Sequence, residues 1–99
     1  MNPPSLILLV KFKSRLSFEE VVNVVDSRAD EFRALKGLQQ KYYLQDAATQ
    51  EYAGLYLWAS KEDFQAYRDS ELRATIAKAY QTDGEPRVEV FNVIKPLRP

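Results

Sequence analysis

An α+β fold with the element order βαββαβ is what this sequence predicts, and three observations predict it. A complete aromatic strand, Glu51 to Ala59, runs with almost no loop into a helix that Ser60 can cap. Four segments alternate in hydrophobicity at period two, and two others recur at helical spacing. The composition is that of one modest core: the 99 residues are 45% hydrophobic and 12% aromatic. A chain of this length buries about two-thirds of its unfolded surface, which suffices for a single domain over residues 1–99 and leaves no room for a second.

The first segment, Ser5 to Lys13, sets Leu6, Leu8, Val10 and Phe12 against Ile7, Leu9, Lys11 and Lys13, a strand with one wholly apolar face. Ser17-Phe-Glu-Glu20 then reads as a capping box, in which the Ser17 hydroxyl receives the amide of Glu20 and the Glu20 carboxylate reaches back. The helix it opens carries Phe18, Val21, Val22, Val25, Ala29, Phe32 and Leu35 at helical spacing and is expected to run from Phe18 to Lys36, where Gly37 stops it. Leu38 to Asp46 and Glu51 to Ala59 form a hairpin across Ala47 to Gln50. With Asp46 opposite Glu51, Tyr42 faces Leu55, Tyr43 faces Gly54, Leu44 faces Ala53 and Gln39 faces Trp58. The second helix carries Phe64, Tyr67, Leu72, Ile76 and Tyr80 inward with a break near Ser70, and the turn Thr82 to Pro86 ends it. Arg87 to Ile94 is the last strand, and Pro96 and Pro99 mark an irregular tail.

Two βαβ halves in this order make a ferredoxin-like antiparallel sheet with both helices on one face. The mostly aliphatic set of Tyr42, Leu44, Ala53 and Leu55 is expected under the helices. The set of Lys41, Tyr43, Tyr52, Tyr56 and Trp58, rich in aromatic rings, is expected to face a second copy of the chain.

The composition also excludes. Fourteen basic and fourteen acidic residues balance to a formal net charge of zero, so no long-range field draws the chain to nucleic acid or to an anionic membrane. The apolar run Leu6 to Val10 is far shorter than the roughly 20 residues of a membrane-spanning helix, and a cytoplasmic location is the expectation. Without cysteine there is no disulfide, thiolate nucleophile or sulfur ligand. Without histidine there is no Ser-His-Asp relay, His-ligated zinc or proximal-His haem, and neither a cofactor nor a metal is expected. The acidic pairs Glu19-Glu20 and Glu62-Asp63 sit in first helical turns, where they complement the helix dipole.

Three stretches, Gly37-Leu-Gln-Gln-Lys-Tyr-Tyr43, Tyr52-Ala-Gly-Leu-Tyr-Leu-Trp-Ala-Ser60 and Ser70-Glu-Leu72, resemble the YdhR family of mono-oxygenases within the dimeric α+β-barrel superfamily. The resemblance covers nearly the whole chain. It implies a homodimer whose sheets face each other, with a small apolar pocket in each subunit between sheet and helices. Haem-degrading members of that superfamily carry an Asn on the first strand, a Trp on the second helix and an iron-binding His about three turns further on. Aligned from Trp58, Tyr67 stands at the Trp position and Ala77 at the His position, and no Asn occurs between Ser5 and Lys13. Cofactor-free members use Asn, Trp and Tyr side chains to bind a phenolic substrate and stabilise its anion, which then reacts directly with dioxygen.

The resemblance makes Tyr67 and Asn92 the candidate catalytic residues, and Phe12, Tyr42, Phe64 and Ile76 the candidate ligand-binding residues. Each also has a structural reading: Tyr42 as a core ring, Tyr56 and Trp58 as packing or interface residues, Asn92 as a strand-edge amide, Lys11 and Lys41 as solvated strand ends. The expected activity is cofactor-independent mono-oxygenation of a small aromatic, phenol- or quinol-type molecule; the alternative is a non-catalytic binding or interaction protein with the same pocket. A third class, isomerase or decarboxylase, needs a titratable base in the pocket, and the sequence shows none among the inward residues.

Overall fold

The computed structural model describes residues 3–98. Four strands form one antiparallel sheet in the order β2-β3-β1-β4, with β1 at Leu6–Phe12, β2 at Leu38–Gln45, β3 at Tyr52–Trp58 and β4 at Arg87–Asn92. The helical segments are α1 at Phe18–Arg33, α2 at Lys61–Arg68, α3 at Glu71–Ala74 and α4 at Ile76–Tyr80. Pro96 lies in an irregular stretch after β4; the expectation for Pro99 falls outside the described residues.

The capping box forms as the spelling requires. Ser17 Oγ accepts from the Glu20 amide at 3.2 Å, and the Ser17 amide donates to the Glu20 carboxylate at 2.9 Å. The α-helical turns end at Arg33, three residues before the expected Lys36. There the Leu35 amide bonds back to the Phe32 carbonyl in a tighter turn, and Gly37 takes φ +79°. That glycine is needed twice, because a Cβ there would also run into the Asp63 side chain. The second helix breaks where Ser70 predicted: Ser70 Oγ donates to the Tyr67 carbonyl at 2.6 Å and accepts from the Arg73 amide, ending α2 and capping α3. A further break at Thr75, whose hydroxyl bonds back to the Glu71 carbonyl, separates α4.

The hairpin register agrees from Asp46 and Glu51 through Tyr42 opposite Leu55 to Gln40 opposite Leu57. It then slips by one: a bulge at Gln39 leaves Leu38, not Gln39, opposite Trp58.

The assignment of the two sheet faces is corrected. All the helical segments cover the face that carries Leu6, Leu8, Val10 and Phe12. Because Leu6 pairs with Trp58 and Leu8 with Tyr56, those two aromatic residues lie under the helices with Lys41 and Tyr43 beside them. Trp58 and Tyr56 are 0% and 1% exposed. They are core residues, not the surface that meets a second copy. The physical reason is ring packing: α1 and α2 bring Phe32, Phe64 and Tyr67 to the sheet, and Trp58 lies within 5.3 Å of the Tyr67 ring and 6.4 Å of Phe64, centroid to centroid. The opposite face, with Ile7, Leu9, Leu55, Leu57, Tyr42, Leu44 and Phe91, has no covering layer among the described residues.

Candidate functional site: two spaces between sheet and helices

The core rings divide the helical side of the sheet into two regions. One core cluster joins Leu6, Leu8 and Val10 to Phe32, Tyr56, Trp58, Phe64 and Tyr67; the other joins Phe12 to Val21, Ile76 and Tyr80. An open space adjoins each.

The first is a hollow of about 420 Å³ between β1, β4 and the α2–α3 junction, lined by Leu8, Phe64, Tyr67, Arg68, Arg73, Val88 and Val90. β4 is an edge strand, and its helix-facing residues Val88 and Val90 are 44% and 48% exposed because no helix lies fully over them. At the inner wall, Tyr67 Oη donates to Tyr56 Oη at 3.1 Å. With Tyr67 donating, the free proton is that of Tyr56, which lines the small cavity and not the hollow; with the bond reversed, Tyr56 donates and the Tyr67 proton is free to face the hollow. Burial raises the Tyr67 pKa, against the pull of the Arg73 and Arg28 guanidinium groups; burial raises that of Tyr56 well above its ordinary value. Both phenols are therefore neutral donors at physiological pH. Arg68 lies beside Asp69 at 3.4 Å, which leaves Arg73 as the cation of the hollow without a carboxylate partner among the described residues.

The second space lies where α1 crosses β2. A groove of about 280 Å³, lined by Ala29, Phe32, Arg33, Leu38, Gln39, Gln40, Lys41 and Tyr43, leads to Lys41. Beyond it is a cavity of only about 30 Å³ among Phe12, Val21, Val25, Tyr56, Ile76 and Tyr80. That is room for one or two water molecules and not for an aromatic ring. Lys41 Nζ sits 3.4 Å from the centroid of the Phe32 ring, 4.4 Å from Tyr43 and 4.5 Å from Tyr56. Gly54 makes this approach feasible, since a Cβ there would stand 2.9 Å from the Tyr56 ring and 3.2 Å from Lys41 Cε. Burial, and secondarily the charge of Arg28, lowers the Lys41 pKa to about 7. In the small cavity, burial pushes the Tyr80 phenol up to about 12.

The predicted site residues separate between these regions. Phe64 and Tyr67 meet in the hollow; Phe12 and Ile76 meet in the small cavity. Tyr42 is corrected: it shares the uncovered sheet face with Leu55 and is 50% exposed, because its strand neighbours Lys41 and Tyr43 take the helical side. Asn92 points to the helical side one step beyond Val90, opposite Leu6, but is exposed and does not line the hollow. Leu8, Arg73, Val88 and Val90 went unnoticed in the sequence, and Lys41 is not a solvated strand end. A titratable amine does face inward. The signal was available: Lys41 and Tyr43 alternate onto the face of Tyr56 once the hairpin register is drawn.

Among the described residues no helix is long and apolar enough to cross a membrane. The sequence model of a family described as "Putative mono-oxygenase ydhR" matches residues 7–98. No curated protein matches the chain in sequence. Solved structures share its fold. A protein of unknown function from Nitrosomonas europaea superposes with a TM-score of 0.78 at 16% identity, covering 100% of this chain and 98% of its own. SnoaB, a cofactor-independent oxygenase from Streptomyces nogalater, gives 0.76 at 14% identity, over 97% of this chain and 99% of its own. A dimeric ferredoxin-like protein of unknown function from Thermobifida fusca gives 0.71 at 16% identity, over 94% of each chain.

Proposed function

The chain belongs to the YdhR mono-oxygenase family, and on that premise we propose that it oxygenates a small aromatic, quinol- or anthrone-type substrate without a cofactor, in the hollow against Tyr67. The observation that carries this reading is the Tyr67 hydroxyl, paired with that of Tyr56 behind it, at the wall of a 420 Å³ space otherwise lined by Leu8, Phe64, Arg68, Arg73, Val88 and Val90. Such a substrate supplies its own electrons. A proton passes to water to give an enolate or phenolate; the carbanionic carbon adds dioxygen, the peroxide anion takes a proton back from water, and the hydroperoxide loses water to leave a carbonyl at that carbon. The protein's part is to hold the ring dry and to hydrogen-bond the oxyanion through the Tyr67 hydroxyl, which turns its proton to the substrate while Tyr56 donates to it from behind, with Arg73 adding positive potential. Asn92 is exposed one step beyond Val90 and does not line the hollow, so the donor role rests on Tyr67.

Assembly as a sheet-to-sheet homodimer belongs to the same reading. It is supported by the uncovered apolar face of Ile7, Leu9, Leu55, Leu57, Tyr42 and Phe91, since an apolar patch of that extent is rarely left in water. Light scattering at micromolar concentration is expected to give twice the chain mass.

Oxygen uptake with metal-free, flavin-free protein tests the activity. Anthrone- and quinol-type substrates should be consumed faster than in buffer, and Tyr67→Phe should slow the reaction at least about tenfold, as expected for loss of one oxyanion donor. Saturable binding of these compounds without oxygen consumption would replace the oxygenase with the non-catalytic binding protein.

A further inference from the structure

Lys41 occupies a position whose electrostatics are incomplete. Its ammonium is held over the faces of Phe32, Tyr43 and Tyr56, and no carboxylate lies within ion-pair distance of it among the described residues. A lysine that only needed to solvate its charge would snorkel outward along its stem. This one turns inward, where a desolvated cation is costly and ring faces return only part of that cost.

The charges around it make the deficit larger. From α1, Arg28 repels it: that guanidinium donates to the Leu72 carbonyl at 2.7 Å, and its Nε is buried without an acceptor. Arg33, also on α1, lines the groove and is already paired with Asp30 at 2.7 Å. Asp26 of α1 acts on Tyr43, whose phenol burial keeps neutral; from β3 the facing group is the neutral Tyr56 phenol. The local sum is positive, at the end of a groove walled by Ala29, Phe32, Leu38, Gln39, Gln40 and Tyr43 that opens to solvent.

We propose that this groove between α1 and β2 is a binding site for a small organic monocarboxylate, aromatic or aliphatic, whose carboxylate pairs with Lys41 Nζ while its apolar body lies against Phe32 and Tyr43. One compact ammonium matches a monoanion. The ring walls select an organic acid over an inorganic ion, and about 280 Å³ limits it to a small molecule. The site is separate from the hollow at Tyr67 and does not depend on the oxygenase reading. Its ligand also completes the charge balance of the fold, so binding must draw a proton onto Lys41 wherever the amine is partly neutral. With a free pKa of about 7, that coupling falls near neutral pH.

The test is calorimetric titration of the intact protein with benzoate, using benzyl alcohol as the uncharged analogue. Benzoate is expected to bind at least tenfold more tightly than benzyl alcohol at pH 6.5. Its affinity should fall about tenfold per pH unit between pH 8 and 9, and at pH 7.5 to 8 buffers of different ionisation enthalpy should reveal proton uptake. Lys41→Met should abolish the preference for benzoate, and Tyr67→Phe should leave it unchanged. Equal binding of the two compounds, no proton uptake by the wild-type protein, or loss of binding in Tyr67→Phe would each overturn the proposal. The uptake measurement needs no variant, so the proposal stays testable even where Lys41→Met fails to fold.

Discussion

The hollow under β4 and the groove beside β2 lie on the same side of one sheet, yet they solve opposite problems. In the hollow the two tyrosine hydroxyls are neutral and share a hydrogen bond, and the charge lies on guanidinium groups at the wall, with Arg73 lacking a carboxylate partner among the described residues. In the groove the central atom is a cation with rings in place of a counter-charge. The first arrangement suits stabilising an oxyanion that appears during a reaction; the second suits receiving an anion already made. Tyr56 belongs to both, bonding Tyr67 through its hydroxyl and facing Lys41 with its ring.

Phe32 is the partition, and removing it should break the comparison most severely. It packs within 6.0 Å of the Tyr67 ring and 6.1 Å of the Tyr56 ring and also carries Lys41. Phe32→Ala should cost roughly 3–5 kcal/mol in chemical denaturation and impair both spaces at once; a variant that lost benzoate binding alone, with stability unchanged, would show that the two are not built on a common wall.

The hydroxyl pair should give a smaller and diagnostic effect. Tyr56→Phe or Tyr67→Phe alone leaves one buried hydroxyl without its partner, at about 1–2 kcal/mol each. The double variant should cost less than the sum of the two singles, by at least about 0.5 kcal/mol. Additive losses would mean that the hydroxyls are not coupled.

The aliphatic and aromatic pattern carried the element order, the Ser17 capping box, the Ser70 break and the hairpin register as far as Gln40 opposite Leu57. It did not carry the choice of face. Both faces of Tyr52 to Trp58 are apolar, so alternation in that strand is silent about which side the helices take. The answer lay in a pairing between distant segments, Leu6 with Trp58 and Leu8 with Tyr56, which ties the aromatic set to the wholly apolar face of β1. The same parity decides Tyr42 and Lys41. The hollow was legible only through Phe64 and Tyr67; Arg73 joins it because the helix breaks at Ser70 and redirects the chain, a geometry that spacing alone does not give.

Stability also depends on pH. Lys41 has a folded pKa lowered from 10.5 to about 7, so between those values the unfolded chain binds the extra proton and stability rises with pH. Asp46, held down to about 2 chiefly by the hydrogen bond from Lys11, acts in the other range: its contribution is present above its ordinary value and is lost as pH falls from 3.8 towards 2. Thermal melts should therefore show wild-type stability rising from pH 7 to pH 10 relative to Lys41→Met, which should lack that slope. Identical profiles would place the lysine in solvent.

Two spaces of different character lie within one small fold, and amide chemical shifts report on both at once. In a nitrogen-labelled sample, an unreactive phenol should shift Phe64, Tyr67, Arg73, Val88 and Val90, while benzoate should shift Ala29, Leu38, Gln40, Lys41 and Tyr43, each saturating with the other ligand present. If both compounds move the same set of amides and compete, the protein has one site, and the division between hollow and groove is wrong.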